Sequence, residues 1–352
     1  MKKLRVIVIG AGRMGTLHAS KLARVDGVDV ACIADNDVER ATHLARHHGS
    51  RPVADWREGI VGMEAAVVAA PPEMHAAMLH GCLEAGLHVL VEKPVATTVD
   101  DARAMVALSE RLQRVLQVAH VERFNAAFCA IASRIDRPLF IDAERLAGFQ
   151  PRGADVDVVL DLMIHDIDLA LALARSPVTE VRACGFSVLT RGIDIANAHL
   201  EFESGCVADL SASRVSQAPV RKLRAFQHNL YASADLQVKQ LRYVSRGAHA
   251  IEQSEETYEG DDPLARQDAA FIAAVRSKAP VVVTGDDGVK SVDVALRVAR
   301  RVRERLSYIA TRAHEPRGRP ESESEAQPGA WPGEFGRPLP ARQSQRFTSG
   351  KA

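Results

Sequence analysis

The chain has 352 residues, 45 Lys and Arg balanced by 45 Asp and Glu, and nearly half of its residues are hydrophobic. This is ample for one or two domains with a sizeable core, and a formal net charge of zero without any basic block excludes a nucleic-acid or membrane footprint. Five cysteines, Cys32, Cys82, Cys129, Cys184 and Cys206, form no C-x-x-C pair and sit mostly in apolar runs, which excludes a disulfide framework or a zinc site.

In chain order the first element is an apolar run, LRVIVI at Leu4–Ile9. No apolar signal segment precedes it and no later run reaches the length of a membrane span, so the expected setting is cytoplasmic. The run flows into a G-x-G-x-x-G fingerprint, Gly10, Gly12 and Gly15, with Arg13 and Met14 between the last two. In a dinucleotide site the first glycine permits a tight turn, the second lets the backbone approach the pyrophosphate, and the third allows close helix–strand packing. An amphipathic helix predicted from about Met14 to Arg24 would aim its N-terminal amides at the phosphates. A second apolar run, VDVACIAD, ends at Asp35, twenty residues after Gly15, where a carboxylate takes both adenosine-ribose hydroxyls. The same carboxylate repels a 2′-phosphate. The next residues are Asn36 and Asp37, not basic ones, and Arg40 falls inside the following helix. NAD is the expected cofactor, ahead of NADP.

Three further apolar runs follow, AAVVAA at Ala65–Ala70, LHVLVE at Leu87–Glu92 and VLQVAH at Val115–His120, with helical patterns near Arg40–His47, Met74–Ala85 and Thr98–Arg111. Thr98 and Asp101 form a capping box in which Asp replaces the usual Glu or Gln. Continuous apolar strands separated by helices predict an α/β domain with a doubly wound parallel sheet, a Rossmann domain over residues 1–122. From about Pro138 the rhythm changes. PLFIDAERLAG reads as a strand and Asp157–Ala174 as one long apolar helix. VRACGFSVLT, ANAHLEFE, CVADLSASRV, KLRAFQHNLYA and LQVKQLRYV then follow as strands with no helices between them. They predict a mostly antiparallel open sheet in a second α/β domain over residues 123–312, closed by helices at Pro263–Ser277 and Asp286–Tyr308. Residues 313–352 are rich in Pro, Gly, Ser, Glu and Arg, and a disordered polar tail is expected there.

Ligands of doubly wound sheets bind beyond the carboxyl ends of the strands, so the polar residues at those ends are the first candidates. They are Pro71, Pro72 and His75 after the third run, Glu92-Lys93-Pro94 after the fourth, and His120, Glu122 and Arg123 after the fifth. Lys93 either hydrogen-bonds a substrate hydroxyl and the nicotinamide ribose or is a solvated strand end. Pro94 favours the first reading, because X-Pro bonds are the usual place for a cis turn that aims a side chain. In VDVVLDLMIHDIDLALALA, Asp161, His165 and Asp168 fall at i, i+4 and i+7, on one face of a helix that is otherwise nearly all apolar. Buried charges demand a partner or a purpose. Asp161 would orient His165 and raise its proton affinity; the alternative is a structural Asp–His bond tying the helix to the sheet. No metal is expected, since no third and fourth ligands of suitable spacing accompany these residues.

GAGRMG at 10–15, AAPPEMH ending at His75, EKP at 92–94 and D-x-x-x-H at Asp161–His165 together resemble the Gfo/Idh/MocA oxidoreductases over residues 1 to about 310. The resemblance implies a Rossmann domain and a second α/β domain whose open sheet builds a homodimer or homotetramer. It implies NAD held by Gly10, Gly12, Arg13, Met14, Gly15, Asp35, Pro71, His75, Glu92, Lys93 and Pro94, with Lys93–Pro94 cis. Lys93 and His165 would flank the reacting carbon, with Asp161 as the supporting acid. Within the family, AHVERFNAA at 119–127 and VVLDLMIHDIDLAL at 158–171 look like UDP-N-acetylglucosamine 3-dehydrogenases. Those enzymes oxidise the sugar's C3 hydroxyl before an aminotransferase installs nitrogen, toward lipid A with a diamino sugar. A nucleotide-sugar substrate is implied, met by Asp161, His165 and cationic donors for its diphosphate. Of Arg123, Arg152, Arg214 and Arg221, the expected donors are Arg123 and Arg152. One departure is visible: Ala126 stands where the resemblance leads one to expect proline. Competing readings are a free-sugar or inositol dehydrogenase, an NAD-assisted glycosidase that oxidises transiently, and a non-catalytic NAD-binding regulator. Retention of Lys93, Asp161 and His165 argues against the regulator, because a binding module needs no proton-transfer pair.

Overall fold

Apolar runs that alternate with amphipathic helices build the first sheet. The computed structural model describes residues 2–150, 156–247, 250–277 and 279–313, and Met1–Ala310 form one compact unit. In chain order come β1 (Leu4–Ile9), α1 (Arg13–Leu22), β2 (Val28–Ala34), α2 (Val38–His48), β3 (Arg51–Val53), α3 (Trp56–Gly59) and β4 (Ala65–Val68). α4 (Pro72–Glu84), β5 (His88–Glu92), α5 (Val99–Arg111) and β6 (Leu116–Ala119) complete the half. The six strands are parallel, in the order β3-β2-β1-β4-β5-β6. β4 is buried along its whole length because helices cover both faces of the sheet. Thr98 caps α5 by accepting the Asp101 N–H at 3.1 Å, while its hydroxyl donates to the Asp101 carboxylate at 2.7 Å, so the Asp version of the capping box closes on the side chain. The edge strand β3 escapes the sequence pattern: it has three residues, and Arg51 and Pro52 are exposed.

A 3-10 turn (Val121–Phe124) and α6 (Ala126–Arg134) lead to β7 (Phe140–Leu146). A π-helical turn (Val159–Met163) then runs into α7 (Ile164–Ala174). Seven strands follow: β8 (Val178–Phe186), β9 (Ile195–Phe202), β10 (Val207–Ser213), β11 (Val220–Gln227), β12 (Leu230–Asp235), β13 (Gln240–Arg246) and β14 (Ile251–Thr257). The sheet order is β14-β13-β12-β11-β7-β10-β9-β8, antiparallel throughout except where β7 meets β10. Alternation along the strands gives one inner face rich in small residues, among them Ala143, Ala198, Ala208, Ala212, Ala225 and Ala234. Small side chains let α6 and α7 lie close on this face. The other face presents Asp142 and Glu144 to Arg224, beside the ring cluster Phe140–Phe226–Tyr231.

The structure corrects three expectations here and adds one strand, β14. KLRAFQHNLYA is not one strand but the hairpin β11–β12, turned at Asn229 with φ 65°, a conformation asparagine tolerates. In LQVKQLRYV only the second half is strand, because Lys239 adopts φ 58° in the turn before β13. β14 lies at the sheet edge and is almost entirely exposed, so it carries no alternating signal. The single long helix at Asp157–Ala174 begins instead with the π-helical turn.

α8 (Pro263–Ser277) and α9 (Gly285–Ala313) are the last of the described elements. α8 returns to the first sheet: Phe271 and Ile272 share a core with Val6, Val8 and Ala19. Val118 N–H also donates to the Val283 carbonyl at 3.1 Å. The chain therefore recrosses the expected cut at residues 122 and 123. Apart from Ala313, the expected tail over 313–352 lies outside the described residues. Among the described residues no helix is long and apolar enough to cross a membrane.

Candidate active site

The glycine turn is built to receive a dinucleotide. Gly10 turns at φ +102°, and a Cβ there would lie 2.4 Å from the Ala69 carbonyl oxygen; a Cβ at Gly15 would lie 1.7 Å from that of Gly10. Gly12 is the N-cap of α1 and offers no side-chain cap, which leaves the first-turn amides for an anionic ligand. Arg13 is exposed and Met14 half-buried on that turn. At the end of β2, Asp35 accepts the Ala11 N–H at 2.7 Å and the Asp37 N–H at 2.9 Å. Its carboxylate thus stands at the mouth of the glycine turn. Arg40 lies in α2 as expected, yet its guanidinium folds back to Asp35 at 3.2 Å and Asp37 at 2.9 Å. Pro71 is the exposed N-cap of α4, with Pro72 at its first position. The residues present fit NAD, which supplies a two-electron acceptor when bound.

The Glu-Lys-Pro segment is held by two histidines with opposite properties. The Lys93–Pro94 peptide is cis. His75 Nδ1 lies 2.8 Å from the Pro94 carbonyl oxygen and Nε2 lies 2.9 Å from that of Ala70. Its ring is fully buried, and burial lowers its pKa. His75 therefore braces the cis turn against the β4–α4 turn and has no exposed atom for a cofactor, a correction to its expected binding role. Glu92 also faces inward, where its Oε1 accepts from His18 Nε2 at 3.0 Å. His18 Nδ1 donates to Asp268 of α8 at 2.9 Å. Burial alone would lower the His18 pKa, but the bonds and charges of Asp268 and Glu92 push it up to about 10. The sequence reading missed His18 and Asp268; the available signal was a histidine three residues after Gly15, on the buried side of α1.

Lys93 Nζ donates to the Asp161 carbonyl oxygen at 2.6 Å and lies 3.5 Å from Asp161 Oδ1. The expected Asp161–His165 pair does not form. The wider π-helical turn takes Asp161 off the face that carries His165, and the Asp161 carboxylate, 41% exposed, sits beside Lys93 with Arg214 at 4.0 Å. His165 stands on the first turn of α7 and keeps partial exposure. Its Nδ1 is buried without a hydrogen-bond partner among the described residues, leaving Nε2 as the nitrogen with access to the cleft. Its pKa falls well below 6.5, through burial first and then the positive charges of Lys93 and Arg145. That direction opposes the expected rise and has a chemical use, because a neutral imidazole at neutral pH can accept a proton.

The expected phosphate donors are placed differently. Arg123 turns inward, 3.5 Å from Asp168 Oδ1 and 3.5 Å from the Val282 carbonyl oxygen, so it is committed to structure. Arg152 lies outside the described residues. Arg214 is buried and donates to the Val156 carbonyl. Arg221 is 52% exposed and 3.6 Å from Glu122, lining a groove of about 390 Å³ with Gln237 and Lys239. Glu122 is also bound by Arg145 at 3.0 Å, and Arg145 holds Asp166 of α7 through two bonds of 2.9 Å. This buried cluster fixes α7 against β7. Ala126 donates its amide N–H to Asp261 at 3.1 Å while Asn125 caps α6, so the residue that departs from the expected proline makes a bond proline cannot make.

Comparisons with known proteins place the two halves of the chain in one family. Residues 4–120 match the family described as "Oxidoreductase family, NAD-binding Rossmann fold", and residues 133–227 match its C-terminal domain. A UDP-N-acetylglucosamine 3-dehydrogenase of Acidithiobacillus ferrooxidans is 32% identical over 305 residues, covering 85% of this chain and 97% of that one. Its solved structure superposes with a TM-score of 0.82 over 87% of this chain and 100% of the other. An inositol 2-dehydrogenase of Rhodococcus erythropolis is 32% identical over 217 residues, 57% of this chain and 63% of its own. A scyllo-inositol dehydrogenase of Lactobacillus casei, solved with NAD(H) and scyllo-inositol, shares the fold at a TM-score of 0.73 and 15% identity, over 86% of this chain and 98% of that one. With an NAD-binding Rossmann domain, the C-terminal domain that accompanies it and dehydrogenases as its relatives, the chain is an enzyme of the Gfo/Idh/MocA oxidoreductase family.

Proposed function

We propose that the enzyme oxidises the C3 hydroxyl of UDP-N-acetylglucosamine to the 3-keto sugar nucleotide. The observation that carries the chemistry is the pairing of Lys93, fixed at 2.6 Å on the Asp161 carbonyl, with a neutral His165 on the next helical turn. In this reading His165 Nε2 accepts the hydroxyl proton, and Lys93 donates a hydrogen bond to the same oxygen and polarises it. Asp161 keeps the ammonium in place, a positioning role toward Lys93. The likeness to a UDP-N-acetylglucosamine 3-dehydrogenase along 97% of that protein supports the substrate. Arg221, with Lys239 in the same groove, is the cation we assign to the diphosphate in place of Arg123. The product ketone is a substrate for an aminotransferase, as a route to a diamino sugar for lipid A requires.

The test incubates the enzyme with NAD, glutamate and a sugar-nucleotide aminotransferase, which draws off an unfavourable ketone. UDP-N-acetylglucosamine, free N-acetylglucosamine and myo-inositol are compared, each with NAD and with NADP. NADH is expected from the nucleotide sugar, faster than NADPH, because the Asp35 carboxylate at the mouth of the glycine turn would repel a 2′-phosphate. Turnover of myo-inositol alone would contradict the substrate assignment.

A further inference from the structure

Lys93 is anchored at both ends. Its Nζ donates to the Asp161 carbonyl oxygen, and its main-chain N–H donates to Glu92 Oε2 at 3.3 Å. Glu92 Oε1 in turn accepts from His18 Nε2 at 3.0 Å. On the other side of the ring, His18 Nδ1 lies 2.9 Å from Asp268 Oδ1 and 3.1 Å from Oδ2. Ionised carboxylates only accept, so both ring nitrogens donate and the side chain has a single orientation open to it. An unbroken chain of hydrogen bonds thus runs from α8 through α1 to the amide of the lysine. Downstream, His75 lies 2.8 Å from the Pro94 carbonyl oxygen, so the Glu-Lys-Pro turn is gripped by a histidine on each side.

Stability alone does not account for this chain. His18 and Asp268 are fully buried and the Glu92 side chain is nearly so, and apolar side chains of similar volume often hold elements together at least as well as buried ion pairs. They already do so here, since Ala19 and Leu22 of α1 share a core with Phe271 and Ile272 of α8. Apolar packing sets the distance between helices, whereas directed hydrogen bonds fix the orientation of a group. The group at the end of this chain is Lys93. Resting on the reading of Lys93 as the donor to the reacting oxygen, we propose that His18 is a positioning residue for the reaction. By holding Glu92 against the lysine's amide, it fixes the direction in which Lys93 enters the cleft.

The fold brings the chain together from three distant segments. His18 lies on the buried side of α1 and has no exposed surface, so it acts through Glu92 and not on the substrate. Glu92 is the last residue of β5, and Asp268 lies on α8 one turn before Ile272. The first turn of α1 carries the amides that the dinucleotide phosphates would meet. One helix therefore serves both the cofactor and the lysine, from opposite sides. Gly10 is held separately, with its N–H donating to the Ala34 carbonyl at 2.7 Å, so the glycine turn does not depend on His18.

The test uses the full chain with NAD and UDP-N-acetylglucosamine in the coupled assay. His18→Gln leaves donor hydrogens at one end of the side chain only, so one carboxylate meets an oxygen. It is expected to lower kcat by roughly 10–100-fold, the scale of a small misplacement, with KM for NAD unchanged. Glu92→Gln turns an amide NH2 toward one of its two donors and should show the same loss, which covers the case of His18→Gln failing to fold. Asp268→Asn keeps an acceptor for His18 Nδ1 and should hold kcat within about threefold of the unmodified enzyme. Leu22→Ala opens a cavity beside the same helix and should leave kcat unchanged. Losses of kcat that merely follow losses of stability across these variants would overturn the proposal. Acetylation of Lys93 by acetic anhydride in the NAD complex, read by peptide mass spectrometry against the other lysines, needs no substrate. Its rate should change several-fold in His18→Gln and Glu92→Gln, and in neither Asp268→Asn nor Leu22→Ala. An unchanged rate in the first pair overturns the positioning role even if the sugar nucleotide is turned over. A changed rate without such turnover supports the role and rejects only the substrate.

Discussion

His165→Ala and Lys93→Met are each expected to lower kcat by roughly 10²–10⁴-fold, the range for removing a positioned acid–base group. NAD affinity should survive the His165 change, because that residue lies on α7 while the glycine turn and Asp35 lie on the first sheet. The pH dependence follows from the direction of the His165 shift. Its pKa in the folded enzyme lies well below 6.5, so the ring is already deprotonated at neutral pH. The kcat profile should be flat there and fall only on the acid side, as the base is protonated. Full activity in His165→Ala would return the helix to the purely structural reading of its polar stripe.

The second large effect is on stability. His18→Gln removes an imidazolium shared by two carboxylates, one of them fully buried, and is expected to cost about 3–5 kcal/mol, as for breaking a buried ion pair from one side. The folded pKa of His18, about 10, exceeds its unfolded value of 6.5. Its contribution is therefore complete below pH 6.5 and is lost as pH rises from there through about 10. Denaturant unfolding between pH 6 and 10 should show stability falling with pH in the unmodified chain. The variant should show a shallower slope. Parallel slopes would mean that His18 is not charged in the folded enzyme. Since Glu92 is the residue before Lys93, loss of this clamp should also reach the presentation of the lysine.

The parts legible in the sequence were those with a local signature. β1, the glycine turn and Asp35 stand at the spacings a dinucleotide site requires, and the central strands are continuous apolar runs because both faces are covered. Lys93 was found because the apolar β5 ends abruptly in Glu-Lys-Pro, and His165 because a charged stripe in an apolar helix is conspicuous. What stayed hidden depends on contacts distant in sequence. His18 and Asp268 are 250 residues apart, and no pattern in either helix announces the other. Arg145 reads as an ordinary polar position in β7 until Asp166 and Glu122 are brought around it. The Asp161–His165 pair was misread because ordinary helical spacing was applied to residues in a π-helical turn. Arg123 was misassigned because its inward partner Asp168 arrives from another element. The hairpin at Asn229 was missed because Gln227-His228-Asn229 contains neither glycine nor proline.

The central claim is that the enzyme removes the C3 hydrogen of a nucleotide sugar while His165 takes the hydroxyl proton. Its most direct test is to supply UDP-N-acetylglucosamine deuterated at C3, in the coupled assay, and to weigh the reduced cofactor by mass spectrometry. Deuterium in the NADH, one label per turnover, is the predicted result, with labelled NADH formed roughly 10²–10⁴-fold more slowly when His165 is replaced by alanine. NADH formed without deuterium, or a sugar nucleotide that keeps its C3 label while the cofactor is reduced, would contradict the account.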